Sequence, residues 1–185
     1  MKSLVVYMSI YTENKDGKNK TTGIALHLDD GQNKSKDFIT ITNQVPYGQL
    51  ALTKLNNVLT HYALELDIQN IKVIVGQDNL HNVMTRLERI LIKCHQKKVY
   101  DVAGIEKLVY IDGHWMKHNI DPFYVMVVQK LLELQLHHNI FFEQHKIPST
   151  HTFSMVQKLH KQIKPLVKLV KKETKTHPLI ECKKK

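Results

Sequence analysis

Cysteine is scarce in this chain, with only Cys94 and Cys182 among 185 residues. Two thiols cannot build the disulfide framework of a small secreted domain, so a reducing, cytoplasmic setting is expected. Seven glycines and five prolines exclude a collagenous or low-complexity chain. No apolar run approaches the ~18 residues that a membrane span requires, and no membrane association is expected. The opening MKSLVVYMSIYTE is apolar but has no small-residue cleavage site, and reads as a first strand rather than a secretory leader. The most telling gap is one of charge. Between residues 144 and 172 there is no Asp or Glu.

What is present is strongly basic. The chain carries 27 Lys+Arg against 17 Asp+Glu, a formal +10. Residues 1–80 hold eight basic and eight acidic side chains, so the whole excess falls within residues 81–185. Clustered cations gain free energy by releasing counterions from a phosphate backbone, and this asymmetry points to a polyanionic partner. The rival reading is a solvated lysine-rich surface, with the final Lys183, Lys184 and Lys185 no more than a tail. The bias toward Lys and Asn also fits an AT-rich, phage-like source.

The hydrophobic pattern changes period along the chain. Residues 4–12, 23–28 and 38–42 are β-branched or alternating and joined by turn chemistry, as in an antiparallel meander. Over residues 48–66, Leu52, Leu55, Leu59, Tyr62 and Leu66 recur every three or four positions and predict a helix. Residues 71–75 read as a buried strand parallel to the first. Val83, Leu87, Ile90, Leu91 and Cys94 mark a second helix, while residues 99–119 look irregular. A third helix is expected to start with Asp121 as cap and Pro122 in its first turn, ending near residue 136. A strand over 139–143 and a last helix from about residue 153, divided or kinked at Pro165, complete the chain. The expected order is three strands, helix, strand, two helices, strand, helix. That alternation gives an α/β domain over residues 1–172, followed by a basic tail over 173–185.

This order resembles the ribonuclease H-like superfamily, and several local sequences agree. Ser9-Ile10-Tyr11-Thr12-Glu13 is similar to the family's first strand, Thr21-Thr22-Gly23-Ile24-Ala25-Leu26 to its glycine-bearing second strand, and Gln49-Leu50-Ala51-Leu52 to its first helix. Val73-Ile74-Val75-Gly76-Gln77-Asp78-Asn79 resembles the fourth strand, and Trp115, Asp121 and Phe123 resemble the family's Trp and the start of a later helix. The resemblance covers residues 4–162. It implies a mixed five-stranded sheet, three strands antiparallel and the others parallel, flanked by helices.

The chemistry that the resemblance implies needs carboxylates. Two Mg²⁺ or Mn²⁺ ions about 4 Å apart hold the attacking water and the leaving oxygen of a phosphodiester, and about four acids bind them. Here Glu13 stands in the first place, with Asp16 as its competitor. Gln49, a neutral amide, stands in the second. Asp78 stands in the third, with Gln77 able to replace it by a shift of one residue. The fourth is missing, Ser154 or Met155 falling near it. His145 matches the family's loop histidine, with His151 competing. The expected metal ligands are Glu13 and Asp78, at the mouth of a single pocket that also holds Gln49. Zinc is disfavoured, because His114 and His118 have neither a cysteine nearby nor a glutamate between them.

Lysines and aromatic residues provide the binding surface. Lys93, Lys97, Lys98 and Lys117, beside Tyr100 and Trp115, fall where the family often has a basic protrusion. Lys146, Lys158 and Lys161 belong to the acid-free stretch. Aromatic residues among lysines suit stacking on sugars and bases; the alternative buries Trp115 in the core. Three functions follow: a degenerate ribonuclease H-like protein that grips RNA–DNA hybrid or duplex by its backbone, an active Mg²⁺- or Mn²⁺-dependent nuclease cleaving the RNA of hybrids, or a fold reused to dock an acidic protein.

Overall fold

In a computed structural model the chain is described over residues 2–15, 19–32, 35–43, 47–58, 60–61, 68–75, 78–112, 122–138, 141–145 and 150–176. Five strands, β1 (Ser3–Lys15), β2 (Asn19–Asp29), β3 (Ser35–Thr42), β4 (Asn70–Val75) and β5 (Phe141–His145), form one sheet in the order β3-β2-β1-β4-β5. β1, β2 and β3 pair antiparallel, whereas β4 lies parallel to β1 and β5 parallel to β4. The helices are α1 (Tyr47–Val58), α2 (Asp78–Lys97), α3 (Val102–Asp112), α4 (Pro122–His138) and α5 (Thr150–Thr176). The expected sheet is the observed one.

Alternation along β1 divides the core into two layers. Leu4, Val6, Met8 and Ile10 pack with Leu50, Leu55, Met84, Leu87 and Val128 of α1, α2 and α4. Tyr7 turns the other way and packs with Ala25, Ile74, Val156, Leu159 and Ile163, so among the described residues α5 is the helix that covers that face. β4 is buried from both sides, with Val73 in the first cluster and Ile74 in the second, as expected of a central parallel strand.

Three expectations need correction. Residues 102–112 are helical: Ile105, Leu108 and Val109 form a short buried stripe, and Asp101 caps it by accepting a hydrogen bond from the Gly104 amide at 3.0 Å. The last helix does not divide at Pro165, which is exposed on the outer side of a helix that continues to Thr176. β1 extends to Lys15 because its hairpin with β2 keeps an unbroken register from Val5↔Asp29 to Lys15↔Asn19. Cys94, free and buried, lies on the inner stripe of α2, and burial pushes its thiol upward. Among the described residues no helix is long and apolar enough to cross a membrane.

Gly23 fixes how closely α5 approaches the sheet. A Cβ at that position would stand 2.5 Å from Val167 Cγ2 and 3.7 Å from Ile163 Cβ. Gly23→Ala must therefore push α5 outward, and should destabilise the fold by about 1–3 kcal/mol in urea unfolding. Adding Val167→Ala should restore part of that loss. If the two substitutions are simply additive, the close approach is not what the glycine provides.

Candidate functional site

The β1–β4 register decides which side chain of β1 follows its last pair with β4. Pairing runs from Ser3↔Asn70 to Met8↔Val75, the last residue of β4. Ser9 is thus the next residue of β1 beyond the level of that strand end. Glu13 lies four residues farther along, about 13 Å away at the rise of an extended strand. By alternation Ser9, Tyr11 and Glu13 share the face of Tyr7, which α5 covers. Gln49 sits in the first turn of α1, which packs on the opposite face beside Leu50 and Ala51. Asp78 is the first residue of α2, and His145 ends β5 level with Ile74. The side chains of Asp78 and His145 lie outside the described residues, as do Trp115 and Lys117 altogether and Lys146.

Around Ser9 the structure gathers groups that the sequence reading had not singled out. Ser9 is fully buried, and its Oγ lies 3.5 Å from His160 Nδ1, at the long limit of a hydrogen bond. The His160 ring meets Tyr11 edge-on at 5.5 Å, and Lys164 Nζ sits 5.8 Å from the Tyr11 centroid. His160 and Lys164 are one helical turn apart on α5. Farther along the face Tyr7 meets His27, which bonds Asp37 across the β2–β3 pair. Burial, and then the Asp29 charge, raise the Tyr7 phenol above its ordinary value. The carboxylate of Glu13 reaches into the structure with Oε2 buried.

These groups do not fit a two-metal centre. The first residue of β1 beyond its last pair with β4 is a serine, and the groups around it are an imidazole, a phenol and an ammonium. Hard divalent cations need several anionic oxygens converging. Among the described residues no three His, Cys, Asp or Glu side chains are grouped to hold a metal ion.

The lysines fall on two layers. Lys93, Lys97 and Lys98 crowd the last turns of α2, where Lys98 adopts a left-handed φ of 52° as the chain leaves the helix. Lys158 and Lys161 are exposed on α5 together with Lys164 and Lys168. With Val156, Leu159, Ile163 and Val167 buried, Lys158, Lys161 and Lys168 lie away from the core stripe and Lys164 on its flank, over Tyr11.

No family model and no curated protein matches this chain. Among solved structures, the ribonuclease H domain of prototype foamy virus is similar with a TM-score of 0.52 and 11% identity, over 91% of this chain and 96% of that domain. Ribonuclease H1 of Halobacterium salinarum gives a TM-score of 0.45 and 13% identity, over 85% and 93%. The chain also matches the protease–reverse transcriptase of prototype foamy virus at a TM-score of 0.48 and 12% identity, spanning only 20% of that polypeptide. The fold is therefore ribonuclease H-like.

Burial first, and the Lys164 charge second, hold His160 below its ordinary value near 6.5. The unfolded chain binds this proton more readily than the folded one. The neutral imidazole's contribution to stability is then complete above pH 6.5 and declines as the pH falls through that value. In urea unfolding at pH 7.5 and pH 5.5, His160→Gln should lose less stability on acidification than the wild type. An equal loss would remove His160 from the account.

Proposed function

We propose that this chain is a ribonuclease H-like nucleic-acid-binding protein that grips RNA–DNA hybrid or duplex through its phosphate backbone, with catalysis lost or severely weakened. The observation that carries this reading is the pairing of an uncharged, buried Ser9 at the strand-end level with a lysine-covered outer arc on α5. The first removes the anionic charge that divalent cations need; the second supplies what a polyanion attracts. Backbone contacts respond to helical shape more than to sequence. Lys93 and Lys97 on α2, with Lys98 directly after it, are the candidate second contact, and Trp115, Lys117 and Lys146 are further candidates from the sequence.

Fluorescence anisotropy with a labelled hybrid should give an affinity falling by about 0.7–0.9 log units per log unit of salt for each phosphate contacted. Lys158→Glu with Lys161→Glu should weaken binding about tenfold or more and reduce that slope. An affinity independent of salt would remove the proposal, and retention of an acidic protein after nuclease treatment would replace it.

The same hybrid incubated with Mg²⁺ or Mn²⁺ should stay intact. Cleavage that disappears in Asp78→Asn would instead establish the metal-dependent nuclease, with Glu13 as the natural second ligand to test.

A further inference from the structure

A cavity of about 430 Å³ lies between β3 and α1, on the sheet face opposite α5. Its walls follow from local periodicity. Lys36, Phe38 and Thr40 alternate along β3 and present one face, Phe38 being paired with Leu26 of β2, which lies on the floor. Lys54, Asn57 and Val58 recur at i, i+3 and i+4 on α1, and His61 follows one turn later.

The chemistry of the lining is mixed in an informative way. Leu26, Phe38 and Val58 make it apolar, and Phe38, 38% exposed as a residue, is open to stacking against a flat ring. Thr40 and Asn57 offer donors and acceptors to a heterocycle's edge. Lys36 and Lys54 contribute cationic groups and His61 an imidazole, and among the described residues no carboxylate lines the cavity. The neighbouring carboxylate, Asp37, points to the other side of β3 and is engaged by His27. The volume lies within the range of small-molecule sites.

We infer that this cavity binds a small ligand that is both heteroaromatic and anionic, of the class of a nucleoside monophosphate, with Phe38 under the ring and Lys54 on the phosphate. The site is separate from the lysine arc of α5 and does not rest on the function proposed above.

Equilibrium dialysis of the full chain against AMP, UMP, adenosine, uridine and inorganic phosphate tests it. Saturable binding of the monophosphates is expected, with the nucleosides and inorganic phosphate each about tenfold weaker or more. Lys54→Gln should bring the monophosphates to the level of the nucleosides, whereas Phe38→Ala should weaken both. Lys158→Glu with Lys161→Glu should leave all of these unchanged, which separates this site from hybrid binding. Should Phe38→Ala fail to fold, Lys54→Gln alone still decides, because it removes a charge from a partly exposed position outside the core. No saturable binding of either monophosphate at millimolar concentration overturns the inference. So does inorganic phosphate binding as tightly as AMP, or monophosphate affinity unaffected by Lys54→Gln.

Discussion

The hydrogen-bonded register between β1 and β4 governs what this protein can do. In parallel pairing each residue of one strand is held about 4.8 Å from its neighbour on the other, and a slip of one residue would turn every side chain to the opposite face. The register is held by Leu4, Val6 and Met8 on one side and Tyr7 on the other, all buried against helices that cannot exchange places. It sets Ser9 beyond the last pair. A carboxylate there would be stripped of water and would face an imidazole and, one turn away, an ammonium. A serine meets that setting with little desolvation and reaches His160.

The second constraint is electrostatic. Residues 144–172 carry seven lysines and no acid, so i,i+3 and i,i+4 neighbours on α5 repel one another without internal compensation. The helix forms because Val156, Leu159, Ile163 and Val167 bury a stripe that outweighs this repulsion, and because Gly23 lets that stripe come close to the sheet. The repulsion then persists on the outer arc, where a polyanion would relieve it. This is the physical basis for reading the arc as a contact surface, rather than the net charge by itself.

Much of the architecture was legible in the sequence because it rests on period. The change from alternation in β1–β3 to a three-to-four repeat in α1 and α2 gives the element order, and Pro122 marks the start of α4. The helix over 102–112 was legible as well, in the spacing of Ile105, Leu108 and Val109, but Gly104 and the β-branched residues around it obscured the pattern. The site was far less legible. Linear resemblance singled out Glu13, an acid at the end of a strand-like run, whereas the pairing of β1 with β2 carries the strand on to Lys15 and its pairing with β4 stops just before Ser9. His160 and Lys164 could not be found from spacing, since they meet Tyr11 and Ser9 across about 150 residues of chain.

From sequence, the assignment of the fold and the convergence of Glu13, Gln49 and Asp78 were expected to stand or fall together. The fold stands on its own: the sheet order, the helical layers and the similarity to the foamy virus domain hold whatever the placement of those three side chains. The reason is that the fold depends on buried apolar pairs distributed over every element, whereas a metal centre depends on a few charges at the strand ends. Those charges contribute little to the core and, being repulsive among themselves, cost stability when no cation is bound. Replacing them is thus compatible with the same packing. In this chain the face between β1 and α5 brings Ser9, Tyr11 and His160 together, with the Glu13 carboxylate farther along it, beneath the lysines exposed on α5.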